Sequence, residues 1–266
     1  MKSCWFDVFF ARRRGTKEVL PSYGPALGVL LAVLLLTLIF SFAFSRLQYG
    51  WNWSAVYVYR HKFITGWLVT LAISAASLVA SLVIGLLAAL AQKASFLPLR
   101  YLGKLYIEII RGTPLLVQIL VFFYVVADAF GIGNRYLVGV LTLALFAGAY
   151  ISEIVRAGIE SVGESQLESA RAIGLTRGQT YRFVIFPQVV RRILPPLAGQ
   201  FASLIKDSSL LSIIAVNEFT LNAQEVNAFT YSTMESYLPL AVGYLALTLP
   251  ISLLSKYLEE KYRYAT

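Results

Sequence analysis

Six apolar segments dominate this chain and restrict it to one kind of environment. They are residues 25–45, 64–91, 107–127, 136–155, 197–216 and 237–257. A helix needs about 20 apolar residues to cross the hydrocarbon core of a bilayer, because each residue rises only ~1.5 Å. Within lipid only a helix or a closed barrel satisfies its own backbone polar groups. Segments of this length predict an all-α membrane protein with six transmembrane helices. The third and fifth carry charges and are the weaker candidates. Composition agrees: 58% of the 266 residues are hydrophobic and 14% are charged, where soluble domains carry about a quarter.

The net charge is +9, which in a soluble chain would raise the question of nucleic acid. Here the basic residues are scattered between apolar runs, and membrane topology accounts for them better. With the N-terminus inside, 17 of the 23 Lys and Arg residues fall in inside loops. Only Arg46, Arg60, Lys62 and Arg135 fall outside, and Arg111 and Lys206 lie within spans. This bias predicts both termini in the cytoplasm. The basic run at 12–17 precedes the first apolar stretch, with no small-residue cleavage pattern after it, so that stretch reads as a retained anchor. Cys4 is the only cysteine, which excludes an intrachain disulfide.

The first outside loop holds Tyr49, Trp51, Trp53, Tyr57 and Tyr59, an interfacial belt or a binding surface. The last, 217–236, has Glu218, Glu225 and Glu235 and no basic residue. Those acids either dock an external partner or are simply solvated. The second span is rich in small residues (Gly66, Ser74, Ser77, Ser81 and Gly85 among them), which let helix backbones approach closely in lipid. No internal repeat is evident, which counts against inverted-repeat transporters.

The inside segment 165–187 has a structure of its own. Ser165 and Glu168 have the spacing of a capping box, and Leu167, Ala170 and Ile173 share one helical face. Gly174 stands where a left-handed cap would end that helix. Thr176 and Gln179 repeat the capping pattern and start a second short helix, which Pro187 would stop or kink. The pair is too short to span. It is either a surface helix pair on lipid headgroups or a docking element for a soluble partner.

Glu168-Ser169-Ala170, three residues, Gly174, nine residues, then Val184, Phe186 and Pro187 resembles the Glu-Ala-Ala loop of ABC importer permeases. Ser169, Val184 and Phe186 depart from that loop's usual Ala, Ile and Leu. Four further segments resemble the polar amino acid branch of the family: 106–118 around Arg111-Gly112-Thr113-Pro114, 149–158, 187–196 with Leu194-Pro195-Pro196, and 206–210, Lys206-Asp207-Ser208-Ser209-Leu210. The resemblance covers about 64–258. It implies a five-helix permease core at 61–258, an added N-terminal helix within 1–60 and a cytoplasmic tail at 259–266. It also implies coupling helices between spans four and five, with Glu168 as a polar contact, Ala170 as a close-packing position, and Gly174 and Pro187 shaping the loop.

The implied function is to translocate a polar amino acid, delivered by an external binding protein, across a bacterial inner membrane. Two permease subunits, identical or homologous, would form the path above two ATPase subunits. ATP and Mg would bind those ATPases and no cofactor would bind this chain. A permease for another small solute, or an ATP-independent secondary transporter, is the alternative.

Charges within spans are functional candidates. Lys206 and Asp207 are adjacent and cannot face one another on a helix. They line the path or clamp helices together, and Ser208 and Ser209 are placed to satisfy backbone freed by a break. Thr113, Gln118 and Ser208 are further path candidates, the first two beside a kink at Pro114. Glu108 and Arg111 are spaced to pair, as are Glu153 and Arg156. Phe146 stands where many family members have Asn, so polar recognition of substrate is not expected at that position.

Catalytic and metal motifs are not found in the sequence. There is no glycine-rich phosphate loop, His61 is the only histidine and flanks two cations in a loop, and no Cys/His cluster forms a metal site. The chain is therefore expected not to be an enzyme.

Overall fold

A computed structural model describes residues 12–14, 17–19, 24–46 and 49–262. The chain divides into two compact units, residues 1–51 and 52–266. In the first unit β1 (Arg12–Arg14) pairs antiparallel with β2 (Lys17–Val19), Arg13 opposite Glu18. The helix α1 (Gly24–Ser45) follows, apolar on every side, as a helix surrounded by lipid must be.

The second unit is helical. A short α2 (Ser54–Val58) leads into the long α3 (Arg60–Gln92), then α4 (Leu97–Gly112), α5 (Leu115–Val121) and α6 (Arg135–Glu160). The loop helices α7 (Glu164–Ala172) and α8 (Arg177–Thr180) precede α9 (Phe186–Asp207), α10 (Phe219–Thr230) and α11 (Thr233–Tyr262). The helices α1, α3, α6 and α11 are each long and apolar enough to cross a membrane, and α4 with α5 qualifies as a bent pair.

The core forms where α3 lies along α6. Gly66, Thr70, Ser74, Ser77, Ser81, Gly85 and Ala88 are all buried, and their spacing of three or four places them on one stripe. At Gly85 an added Cβ would meet the Ile151 side chain at 2.7 Å, and at Gly148 it would meet Ile84 at 2.8 Å. Small residues thus set the helix separation, as the sequence predicts. Ile73, Leu115, Ile119, Leu143, Ala147, Leu204 and Leu211 fill the centre.

Two expected spans are broken. The third, 107–127, is not one kinked helix: α4 and α5 meet at 112°. Pro114 lacks a donor, and its ring drives Thr113 into an extended conformation (φ −124°, ψ 147°). In a continuous helix the Ile110 carbonyl would accept from residue 114. The Gln118 side chain takes that place, donating from Nε2 to Ile110 O at 2.7 Å and to Thr113 Oγ1 at 2.8 Å. Beyond Val121 the helix widens into a π turn over Phe122–Ala127. The fifth span, 197–216, is not a separate helix either. The helix α9 begins at Phe186 and gives way at Ser208 to a 3₁₀ turn (Ser208–Ile214), which ends at Ala215 with φ 56°.

Candidate functional site

The segment between α6 and α9 folds as two helices around a glycine. Its α7 starts at Glu164 behind Gly163, so Ser165 lies inside the helix and makes no capping box; the Ser169 hydroxyl instead donates to the Ser165 carbonyl at 2.8 Å. The end of α7 is as expected. Gly174 has φ 78°, Gly174 N–H donates to Arg171 O at 3.0 Å, and Leu175 N–H donates to Ala170 O at 3.0 Å. This is the Schellman pattern, and it requires a residue that tolerates the left-handed region. The second capping box forms in full: Thr176 N–H donates to Gln179 Oε1 at 2.9 Å and Gln179 N–H to Thr176 Oγ1 at 3.4 Å.

Pro187 does not stop this second helix. The helix widens into a π turn over Tyr181–Ile185 and runs on into α9. A π turn bonds five residues apart, so it does not depend on the donor four residues on that proline lacks.

Within the pair, Ala170 is 3% exposed while Glu168 is exposed. Leu167 packs on Val162, Ile185 and Val189, and the Gln188 and Gln166 side chains bond across the loop. Ile173 does not share the inward face: it closes α7 and is 76% exposed, because the turn at Gly174 swings it out. A cleft of about 580 Å³ is lined by Leu167, Arg171, Leu175, Arg177 and Tyr181. The result is a rigid, doubly capped step with a small buried residue beneath an exposed carboxylate.

The other candidates gather at the two helix breaks. Thr113 and Gln118 meet at the α4–α5 bend. Ser208 is fully buried and donates to Ile205 O at 2.8 Å, while Ser209 donates to Lys206 O at 2.6 Å, so both hydroxyls satisfy backbone at the break as expected. Lys206 is exposed and Asp207 half-buried, and neither makes an ion pair among the described residues. The helix α5 packs against the 3₁₀ turn that follows them. The two irregular stretches are therefore neighbours.

The ion pairs differ in part from expectation. Glu153 bonds Arg156 at 2.9 Å, as predicted, and Arg156 also reaches Glu160 at 2.6 Å. Arg111 pairs with Glu153 at 3.3 Å rather than with Glu108, because the bend at Thr113 carries the end of α4 against α6. Phe146 lies in an apolar cluster with Ile107, Ile110 and Ala149, its ring tilted against that of Tyr150 with centroids 5.1 Å apart.

The acids of 217–236 are neither solvated nor available to a partner as a set. Glu218 and Glu235 are fully buried. Glu218 caps α10, accepting from Thr220 N–H and Leu221 N–H at 2.8 Å each and from the Tyr244 hydroxyl at 2.9 Å. Burial raises its carboxyl above the usual range, against the pull of these donors. Glu235 accepts from Asn52 N–H, and Glu225 pairs with Lys62. Glutamate is an unusual N-cap, so local sequence carried little signal of this role.

Residues 81–264 match the family model described as the inner membrane component of binding-protein-dependent transport systems. The chain is 37% identical over 212 residues to the glutamine transport system permease protein GlnP of Escherichia coli (strain K12), covering 79% of this chain and 97% of that one. It is 35% identical over 199 residues to the probable glutamine ABC transporter permease protein GlnM of Bacillus subtilis (strain 168), covering 75% and 92%. Its fold matches a crystal structure of an amino acid ABC transporter with histidines at a TM-score of 0.74 and 34% identity, covering 80% of this chain and all of that one. It also matches the MetNI methionine ABC transporter, in an inward-facing conformation, at 0.64 and 16%, a likeness of fold alone that covers 76% of this chain and 97% of that one. The chain belongs to the family of binding-protein-dependent transport system inner membrane components, as the membrane-spanning permease subunit of an ABC importer.

Proposed function

We propose that this permease carries a polar amino acid across a bacterial inner membrane, with both termini in the cytoplasm and six spans counting the bent pair α4–α5 and the broken helix α9. An external binding protein delivers the substrate. Two ATPase subunits, which hold the ATP and Mg, sit below two permease subunits, and this chain performs no catalysis. The observation that carries the reading is the α7–α8 step, with Glu168 exposed above a buried Ala170. A short helix clamped at Gly174 and Thr176 moves as a unit, so displacement applied at its exposed side reaches α6 and α9. A loop without caps would absorb the same displacement. The paired breaks at Thr113–Pro114 and Asp207–Ser208 support a path there, since irregular backbone at membrane depth is tolerated where it is buried in protein or lines a cavity.

The decisive experiment is Glu168→Arg in the intact transporter. ATP-dependent uptake of radiolabelled glutamine is lost, membrane insertion of the chain is unchanged, and the ATPase no longer co-purifies. Normal uptake by a well-inserted Glu168→Arg variant would falsify the coupling role. Competition of that uptake by other amino acids and by osmolytes then tests the substrate class.

A further inference from the structure

Where α3 ends and α4 begins, a cavity of about 660 Å³ is lined on one side by Lys93, Arg100 and Lys104. Lys93 closes α3, and Arg100 and Lys104 stand one turn apart on α4. Three acids also face it. Glu153 and Glu160 are taken up by Arg156. Among the described residues Glu108, Lys93, Arg100 and Lys104 make no ion pair, and Lys104 Nζ lies over the Tyr101 ring at 6.0 Å. With Arg156, four cations face three acids in the lining, so the cavity is net positive and its three cations outside any ion pair can meet an anion.

A second hollow, of about 470 Å³, runs along the outer face of α4. Pro98, Tyr101, Leu102 and Leu105 line it, and it shares Lys104 and Glu108 with the first. Tyr101, Leu102 and Leu105 are all more than half exposed. A basic hollow thus opens directly beside an apolar one. A soluble anion matches the first and leaves the second open to water. An amphiphile matches both.

We propose that the two hollows together hold one anionic phospholipid, its phosphate against Lys93, Arg100 and Lys104 and an acyl chain along Tyr101, Leu102 and Leu105. The orientation proposed above puts this end of the bundle at the cytoplasmic leaflet, where anionic headgroups attract basic residues. The inference does not depend on which solute is carried.

The test is native mass spectrometry of the whole transporter, extracted in mild detergent and exposed to phosphatidylglycerol, phosphatidylethanolamine or phosphatidylcholine. Phosphatidylglycerol stays bound at collision energies that strip the two zwitterionic lipids. Each basic residue removed lowers its retention about fivefold, the equivalent of ~1 kcal/mol per Lys or Arg. The variant Lys93→Gln/Arg100→Gln/Lys104→Gln loses the lipid, Leu102→Glu weakens it, and Lys256→Gln/Lys261→Gln, which removes two charges at the end of α11, retains it. Should the triple variant fail to assemble, Arg100→Gln alone still shows the fivefold loss and Arg100→Lys restores retention. Equal retention of all three lipids, undiminished phosphatidylglycerol in the basic-to-Gln variants, or displacement of the lipid by inorganic phosphate at equal concentration would each overturn the proposal.

Discussion

Two polar stretches separate the later helices, and they use their carboxylates in opposite ways. In 161–187 the apolar contact is thin, a patch around Val162, Ile185 and Val189, so Glu168 stands in the open. In 217–236 the contact is deep. Phe219, Ala223 and Val226 of α10 pack on Phe63 of α3, with Phe219 edge-on to Phe63 at 6.3 Å. That packing draws Glu218 and Glu235 into the interior, where each needs donors to compensate for lost water. A glutamate between spans can therefore be a handle for a partner or an internal peg. The depth of the neighbouring apolar contact decides which.

The sharpest way to break this contrast is to remove each carboxylate and measure thermal unfolding in nanodiscs. Glu218→Ala leaves two amides without an acceptor and takes from the Tyr244 hydroxyl its carboxylate partner, and is expected to destabilise by about 3 kcal/mol. Glu168→Ala should change stability by less than about 0.5 kcal/mol while reducing uptake. Equal losses of stability would end the distinction. Next in size is Gln118→Leu, which strands the Ile110 carbonyl at the α4–α5 bend at a cost of about 2 kcal/mol. An unchanged melting temperature would show that the bend does not need this side chain.

Smaller effects sharpen the comparison. Gly174→Ala forces a Cβ into the left-handed region at φ 78°, costing about 1 kcal/mol. The strain should stay local, with faster amide exchange over 170–176 and no change over 217–236. The smallest effect concerns pH. The Glu218 carboxyl is raised on folding by burial, so the folded state holds its proton more tightly than the unfolded state. Stability from this group is full below the ordinary carboxylate range and falls as pH rises through the raised value. Glu218→Gln should flatten that slope, and an unaltered slope would mean the group does not titrate there.

Much of this was legible in the sequence. The spans α1, α3, α6 and α11 follow from apolar length, and the packing stripe of α3 from small residues at helical spacing. The turn at Gly174 and the cap at Thr176 are local, with donors and acceptors at most five residues apart, so they could be read before any fold was known. The cap expected at Ser165 does not form because the helix begins two residues earlier, capped at Gly163, and leaves that hydroxyl inside. Of the stop or kink expected at Pro187 the stop is absent, because the helix continues through a π turn, which is not signalled by any single residue type.

Apolar length by itself marked this chain as a membrane protein, and the Glu-Ala-Ala-like loop with four further motifs in order pointed to its family, because each depends on residues close in sequence. Tertiary structure alone decided that Arg111 answers Glu153, that Gln118 replaces the donor missing at Pro114, and that Glu218 caps a helix while bound to Tyr244. The Arg111 and Glu218 contacts join elements tens of residues apart. The one at Gln118 needs a bend whose angle is set by packing. In all three a buried or half-buried polar group is satisfied by whatever the fold brings to it, and that partner carries no mark in the local sequence.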